Sequence, residues 1–153
     1  MPQTLTKTDL PSLPGLEIAP SSWLEISQER VNRFADATND HQFIHVDQEK
    51  AAQTPFKGTI AHGYLTLSLL PFLTGENFPG IEGMVMGINY GSDKVRFLQP
   101  VRVGSRVRAR QEILSVNEKK AGQWLIKTRV TVEIENESKP ALIAETLALF
   151  VVK

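Results

Sequence analysis

Cysteine is absent from the 153-residue chain, which excludes a disulfide scaffold, a thiolate zinc site, an iron–sulfur cluster and a cysteine nucleophile. Charge of either sign is in no excess. The 17 Lys+Arg and 17 Asp+Glu give a formal net charge of zero, so the basic surplus of a nucleic-acid binder is missing and no nucleic-acid partner is expected. No apolar run approaches the ~18 residues that a membrane span requires. The first residues, Met1-Pro2-Gln3-Thr4, do not follow the basic-then-apolar order of a signal segment. With cysteine also missing, a cytoplasmic protein with no membrane contact is expected. What remains is the composition of a folded globular chain, 41% hydrophobic and 22% charged. This length suits a single domain that buries ~70% of the surface its unfolded chain exposes.

Four of the nine prolines, Pro2, Pro11, Pro14 and Pro20, fall in the first twenty residues. Proline removes a backbone donor and disfavours helix before it, so residues 1–20 read as an extended lead-in to a domain over 21–153. Trp23–Ile26 reads as a short strand. Ser27 is placed to cap a helix from Gln28 to about Ala37, with Val31, Phe34 and Ala35 on one face. Asp47 is placed to cap a second, short helix through Ala52. Between them Thr38–Val46 reads as a loop. From Gly63 to Leu73 the apolar residues Tyr64, Leu65, Leu67, Leu69, Leu70, Phe72 and Leu73 cover nearly the whole helical circumference, so this helix needs enclosing, with Pro71 kinking or ending it.

The second half supplies strands at Met84–Tyr90, Lys94–Leu98, Arg106–Val116, Trp124–Glu135 and Ala141–Val152. In the fourth, Trp124, Ile126, Thr128, Val130, Val132 and Ile134 alternate with polar residues, the period-two pattern of one buried face. The last is apolar at nearly every position and is expected to be covered on both faces. Helices followed by a meander of strands predict an α+β fold, a strongly curved antiparallel sheet around one buried helix.

Chemistry concentrates in Phe34–Asp47 and in Thr59-Ile60-Ala61-His62-Gly63. Asp40 and His45 stand five residues apart and can share and deprotonate a water. Gly63, at the start of the enclosed helix, can offer a free backbone N–H to a developing oxyanion and lets a ligand carbonyl come close. Each has a plainer reading: Asp40 as a turn cap, His45 as a core histidine, Asp36 as a solvated helix residue, Asp47 as an N-cap, His62 as a buried structural residue. Asp40, His41 and His45 as metal ligands form a further alternative, though the histidine spacing suits a helix better than a loop. Arg102, Arg106, Arg108 and Arg110 read as a solvated strand face, with phosphate contact as the alternative.

Asp40-His41-Gln42-Phe43-Ile44-His45 resembles the hydratase-2 signature Gly-Asp-x-Asn-Pro-Leu-His of the MaoC-like dehydratases, the (R)-specific enoyl-CoA hydratases. Ile60-Ala61-His62-Gly63 and Val95–Gly104, with its Phe97, Pro100-Val101 and Gly104 spacing, are similar to companion elements of the same family. The resemblance runs from about Ile26 to the C-terminus and points to the single-domain, nodulation-protein-N-like branch. It implies a hot-dog fold, a homodimer, an acyl-CoA thioester substrate, and neither cofactor nor metal. By position it assigns the catalytic pair to Asp40 and His45 and the thioester-carbonyl donor to the Gly63 N–H. The activity implied is reversible hydration of trans-2-enoyl-CoA to (R)-3-hydroxyacyl-CoA. The alternatives are a hot-dog acyl-CoA thioesterase, which would need a carboxylate on the enclosed helix where Gly63–Leu73 has none, and a non-catalytic acyl-CoA binding module. The chain departs from the signature at Asn39, Gln42 and Phe43, and Pro71 stands where some members carry a serine near the pair.

Overall fold

The computed structural model describes residues 4–153. After a 3₁₀ turn at Lys7–Ser12 come β1 (Glu17–Ile18), β2 (Leu24–Glu25), α1 (Gln28–Thr38), α2 (Phe43–Val46), α3 (Gln48–Ala52), α4 (Gly63–Ser68) and α5 (Leu70–Gly75). Four long strands follow, β3 (Met84–Phe97), β4 (Arg106–Lys120), β5 (Gln123–Ile134) and β6 (Leu142–Val152). All pair antiparallel in one sheet of order β1-β4-β5-β6-β3, with β2 also on β4. This is the expected α+β architecture. The β4–β5 hairpin closes tightly because Gly122 takes φ +76°, and any Cβ there would sit 2.6 Å from the Val152 carbonyl oxygen.

The alternation read in the fourth strand is the observed burial: Trp124, Ile126, Thr128, Val130, Val132 and Ile134 are all buried. Val107, Ala109, Val130, Val132, Leu142 and Ala144 of the sheet pack on Leu65, Leu69, Leu70 and Leu73 of the central helix. Each fully buried Leu or Val side chain contributes roughly 1.5–3 kcal/mol by leaving water, so this contact anchors the helix. A second cluster lies further along the sheet, where Leu10, Leu13 and Ile18 pack with Ile81, Ile113 and Trp124.

Five expectations are corrected. The lead-in is not simply extended: residues 7–12 coil into a 3₁₀ turn whose Leu10 is fully buried, and Glu17–Ile18 pairs with β4; the part of the lead-in at residues 1–3 lies outside the described residues. The central helix is two segments. Pro71 lacks the N–H that would continue the ladder, and the break falls at Leu69 just before it. Nor is that helix enclosed all round, for Tyr64 is 69% and Phe72 63% exposed. The two short strands expected over residues 84–98 form one continuous strand, accommodated by register shifts near Met84, Gly91 and Ser92. Finally, β6 buries Leu142, Ala144 and Val152 but leaves Ile143, Leu147 and Leu149 half-buried, because nothing among the described residues covers that face fully. Among the described residues no helix is long and apolar enough to cross a membrane.

Candidate active site

Local capping builds the site. Ser27 Oγ accepts from the Arg30 N–H at 3.2 Å and starts α1. Asn39, with φ 58°, ends it in the left-handed conformation that asparagine tolerates, so the chain reverses and presents Asp40. The loop expected over 38–46 is shorter than read: Phe43–Val46 closes one helical turn, with the His45 N–H on the Gln42 carbonyl at 3.0 Å. Asp47 caps the next turn, accepting from the Lys50 N–H at 3.0 Å. Gln28 ties these pieces together, donating to the His45 carbonyl at 2.8 Å and accepting from the Thr59 hydroxyl at 2.6 Å.

His45 is buried, and its Nδ1 lies 2.7 Å from the Ile60 carbonyl oxygen. A carbonyl oxygen only accepts, so Nδ1 carries the proton and Nε2 keeps its lone pair. Burial holds the His45 imidazole below its ordinary 6.5, a shift opposed by the Ile60 hydrogen bond, deepened by His62 and opposed again by Asp40. His62, which sequence reasoning placed in a structural role, lies beneath this ring. The two imidazoles stack with centroids 3.8 Å apart, and Phe34 closes on His62 at 4.9 Å. His62 Nε2 donates to the Asp40 carbonyl at 2.9 Å, holding the loop that carries the carboxylate. Its Nδ1 is buried without a hydrogen-bond partner among the described residues. Such an orphan costs ~1–3 kcal/mol, which is least damaging for a bare lone pair.

The ligating atoms of Asp40, His45 and His62 all lie within 4.8 Å of one another. The structure therefore brings together the two residues of the expected pair, with Asp40 half exposed. It separates His41 from them. His41 Nε2 pairs with Asp36 at 2.8 Å on the surface, so the metal alternative built on Asp40, His41 and His45 loses one member and would need His62 instead. Arg106 pairs with Glu135, while Arg108 and Arg110 share Glu133 at 2.6 Å, a solvated ladder on the outer face.

His45 and Gly63 border one cavity of 290 Å³ whose other walls include Phe56, Ile60, Phe97, Leu98 and Val101. Gly63 is exposed and its N–H has no partner among the described residues. A Cβ at this position would lie 3.1 Å from the Phe97 ring. Thr66 also borders the cavity, at 3% exposure; sequence reasoning passed over it, although a hydroxyl within an apolar helix one turn past Gly63 is a readable signal. A larger cavity of 870 Å³ flanks the same helix and includes Leu67 and Met84. Tyr64, Met86 and Tyr90 border neither cavity.

Comparison with known proteins converges on one group. Residues 9–137 match the family model described as MaoC like domain. The chain is 49% identical over 146 residues to Nodulation protein N of Rhizobium meliloti (strain 1021), covering 95% of this chain and 91% of that protein. It is 48% identical to the 3-hydroxyacyl-thioester dehydratase Z of Mycobacterium tuberculosis (strain ATCC 25618 / H37Rv), covering 94% of each. The unliganded R-hydratase of Pseudomonas aeruginosa superposes with a TM-score of 0.71 at 26% identity, covering 92% of this chain and 83% of that one. A curved sheet around a helix, the Asp–His segment beside it and a family match spanning both leave one assignment: the chain belongs to the MaoC-like dehydratase family and has its hot-dog fold.

Proposed function

We propose that this protein is a hydro-lyase that reversibly hydrates trans-2-enoyl-CoA to (R)-3-hydroxyacyl-CoA. The observation that carries the reading is His45, whose Nδ1 is committed to the Ile60 carbonyl, standing with a ligating atom within 4.8 Å of Asp40 and bordering the cavity that Gly63 also borders. A water held by the pair loses a proton to it as its oxygen bonds to C3. The C2=C3 electrons move onto the thioester oxygen, which the Gly63 N–H stabilises. The pair then returns a proton to C2, so the net change is addition of one water. With both groups on one side of the substrate, addition is syn. Asp40 and His45 act as a coupled acid–base unit.

A thioesterase reading would need a carboxylate on the central helix, and Gly63–Leu73 carries none. A binding module has no need of an acid–base pair. The working form in this proposal is a homodimer joined through β3. That strand is 14 residues long, pairs on one side only among the described residues, and exposes Val85, Met86, Ile88 and Tyr90.

The test is the fall in enoyl-thioester absorbance with crotonyl-CoA and longer homologues. The wild type is expected to hydrate, and Asp40→Asn and His45→Gln each to lose ~100-fold or more in turnover while melting normally. A folded variant that keeps more than about a third of the wild-type rate removes that residue from the water-activating pair.

A further inference from the structure

Thr66 carries a hydroxyl that the fold does not use. On helices, Ser and Thr hydroxyls bond back to the carbonyl four residues earlier, and here Thr38, Ser68 and Thr74 do so at 2.6–2.7 Å. Thr66 does not. The carbonyl it would reach, that of His62, already accepts the N–H groups of Leu65 and Thr66 at 3.0 and 3.3 Å. The Thr66 hydroxyl has no hydrogen-bond partner among the described residues, although the residue is only 3% exposed. The oxygen is not one of the sealed-off unpartnered atoms, which among the described residues are His62 Nδ1 and Trp124 Nε1, so it keeps access to open space. The open space beside Thr66 is the cavity of His45 and Gly63, whose walls are otherwise mostly apolar. Helical side chains lean toward the helix N-terminus and lie over the preceding turn. Thr66, three residues after Gly63, therefore addresses the same part of the cavity as the Gly63 N–H.

We propose that the Thr66 hydroxyl donates to the substrate's thioester oxygen as a second donor beside the Gly63 N–H. This assignment rests on the hydratase reading and deepens it. Negative charge gathers on that oxygen as the C2=C3 electrons shift, so the hydrogen bond strengthens in the transition state and acts on kcat more than on KM. The unused hydroxyl in the empty protein is then a donor held ready for the reacting group.

Thr66→Val removes the hydroxyl at nearly constant shape, and Thr66→Ser keeps it. With crotonyl-CoA, Thr66→Val is expected to lower kcat ~30-fold or more while KM stays within ~3-fold, and Thr66→Ser to stay within ~3-fold of wild type in both. The melting temperature of Thr66→Val should hold or rise, since no internal hydrogen bond is lost. A Thr66→Val kcat within ~3-fold of wild type, or a higher KM at unchanged kcat, overturns the proposal and leaves the hydratase reading standing. A lower melting temperature accompanied by equal losses in both variants also overturns it, in favour of a packing role. If the wild type hydrates no enoyl-CoA, the hydratase reading fails separately, and calorimetric binding of crotonyl-CoA decides Thr66. Weaker binding by Thr66→Val alone upholds the thioester contact; equal binding by wild type and variant, or none by wild type, overturns it.

Discussion

At the scale of residues, His45 sets the pH behaviour. Its folded pKa lies below the ordinary 6.5 because burial disfavours the imidazolium. The unfolded chain therefore binds the proton first as pH falls, so this residue contributes stability that is full above 6.5 and is lost as pH drops through the lowered folded value. The expected outcome is a melting temperature that declines on acidification below 6.5 in the wild type and declines less in His45→Gln. In kcat/KM the acid limb should sit below 6.5, because the neutral ring is the competent form; a limb above 6.5 would contradict a base held neutral by burial. Metal dependence is a separate question with a revised set of residues. Prolonged EDTA treatment should leave hydration unchanged, and His41→Ala should cost little, since His41 only meets Asp36 at the surface. Inactivation by chelation with recovery on added zinc or manganese would instead make Asp40, His45 and His62 a ligand set. The closeness of Asp40 to His45 was legible from the resemblance of residues 40–45 to the family signature. The stacking of His62 on His45 was not, because it depends on which side chain a distant segment brings close.

At the scale of elements, boundaries governed by local chemistry were readable. Ser27 and Asp47 cap where expected, and the period of two in β5 is its burial pattern. The single turn at Phe43–Val46 was missed because four residues cannot show a helical period. The long β3 was read as two strands because Gly91 and Ser92 look like a turn, whereas pairing with β6 carries the chain through them. Asn39 is the element boundary that matters most for the site. It reverses the chain at φ 58° one residue before Asp40. Asn39→Gly relieves the left-handed cost and should keep activity and stability near wild type. Asn39→Val, with a branched side chain in that conformation, should destabilise by about 1–2 kcal/mol and lower kcat by displacing Asp40. Denaturant melts with turnover measurements check both. Equal behaviour of the two variants would mean that the backbone at Asn39 does not aim the carboxylate.

At the scale of the whole molecule, the expectation that most outran the single chain was an enclosed helix. Sequence periodicity reports how much apolar surface needs covering, not which chain covers it. Here Tyr64 and Phe72 stay exposed, β6 is half-buried on its outer face, and among the described residues β3 leaves a long edge of unpaired backbone groups beside Val85, Met86, Ile88 and Tyr90. Such an edge invites strand pairing, and a second copy of this chain offers the same edge, related by a two-fold axis. The proposed dimer predicts a solution mass of twice the chain, measured by light scattering at micromolar concentration. Ile88→Lys would place like charges on both copies of β3 at one interface and should shift the population toward single chains. Activity should fall with it, because Phe97 at the end of β3 walls the cavity that Gly63 and His45 border. A wild type that weighs a single chain, or an Ile88→Lys variant that stays paired, would place the partner surface elsewhere than β3.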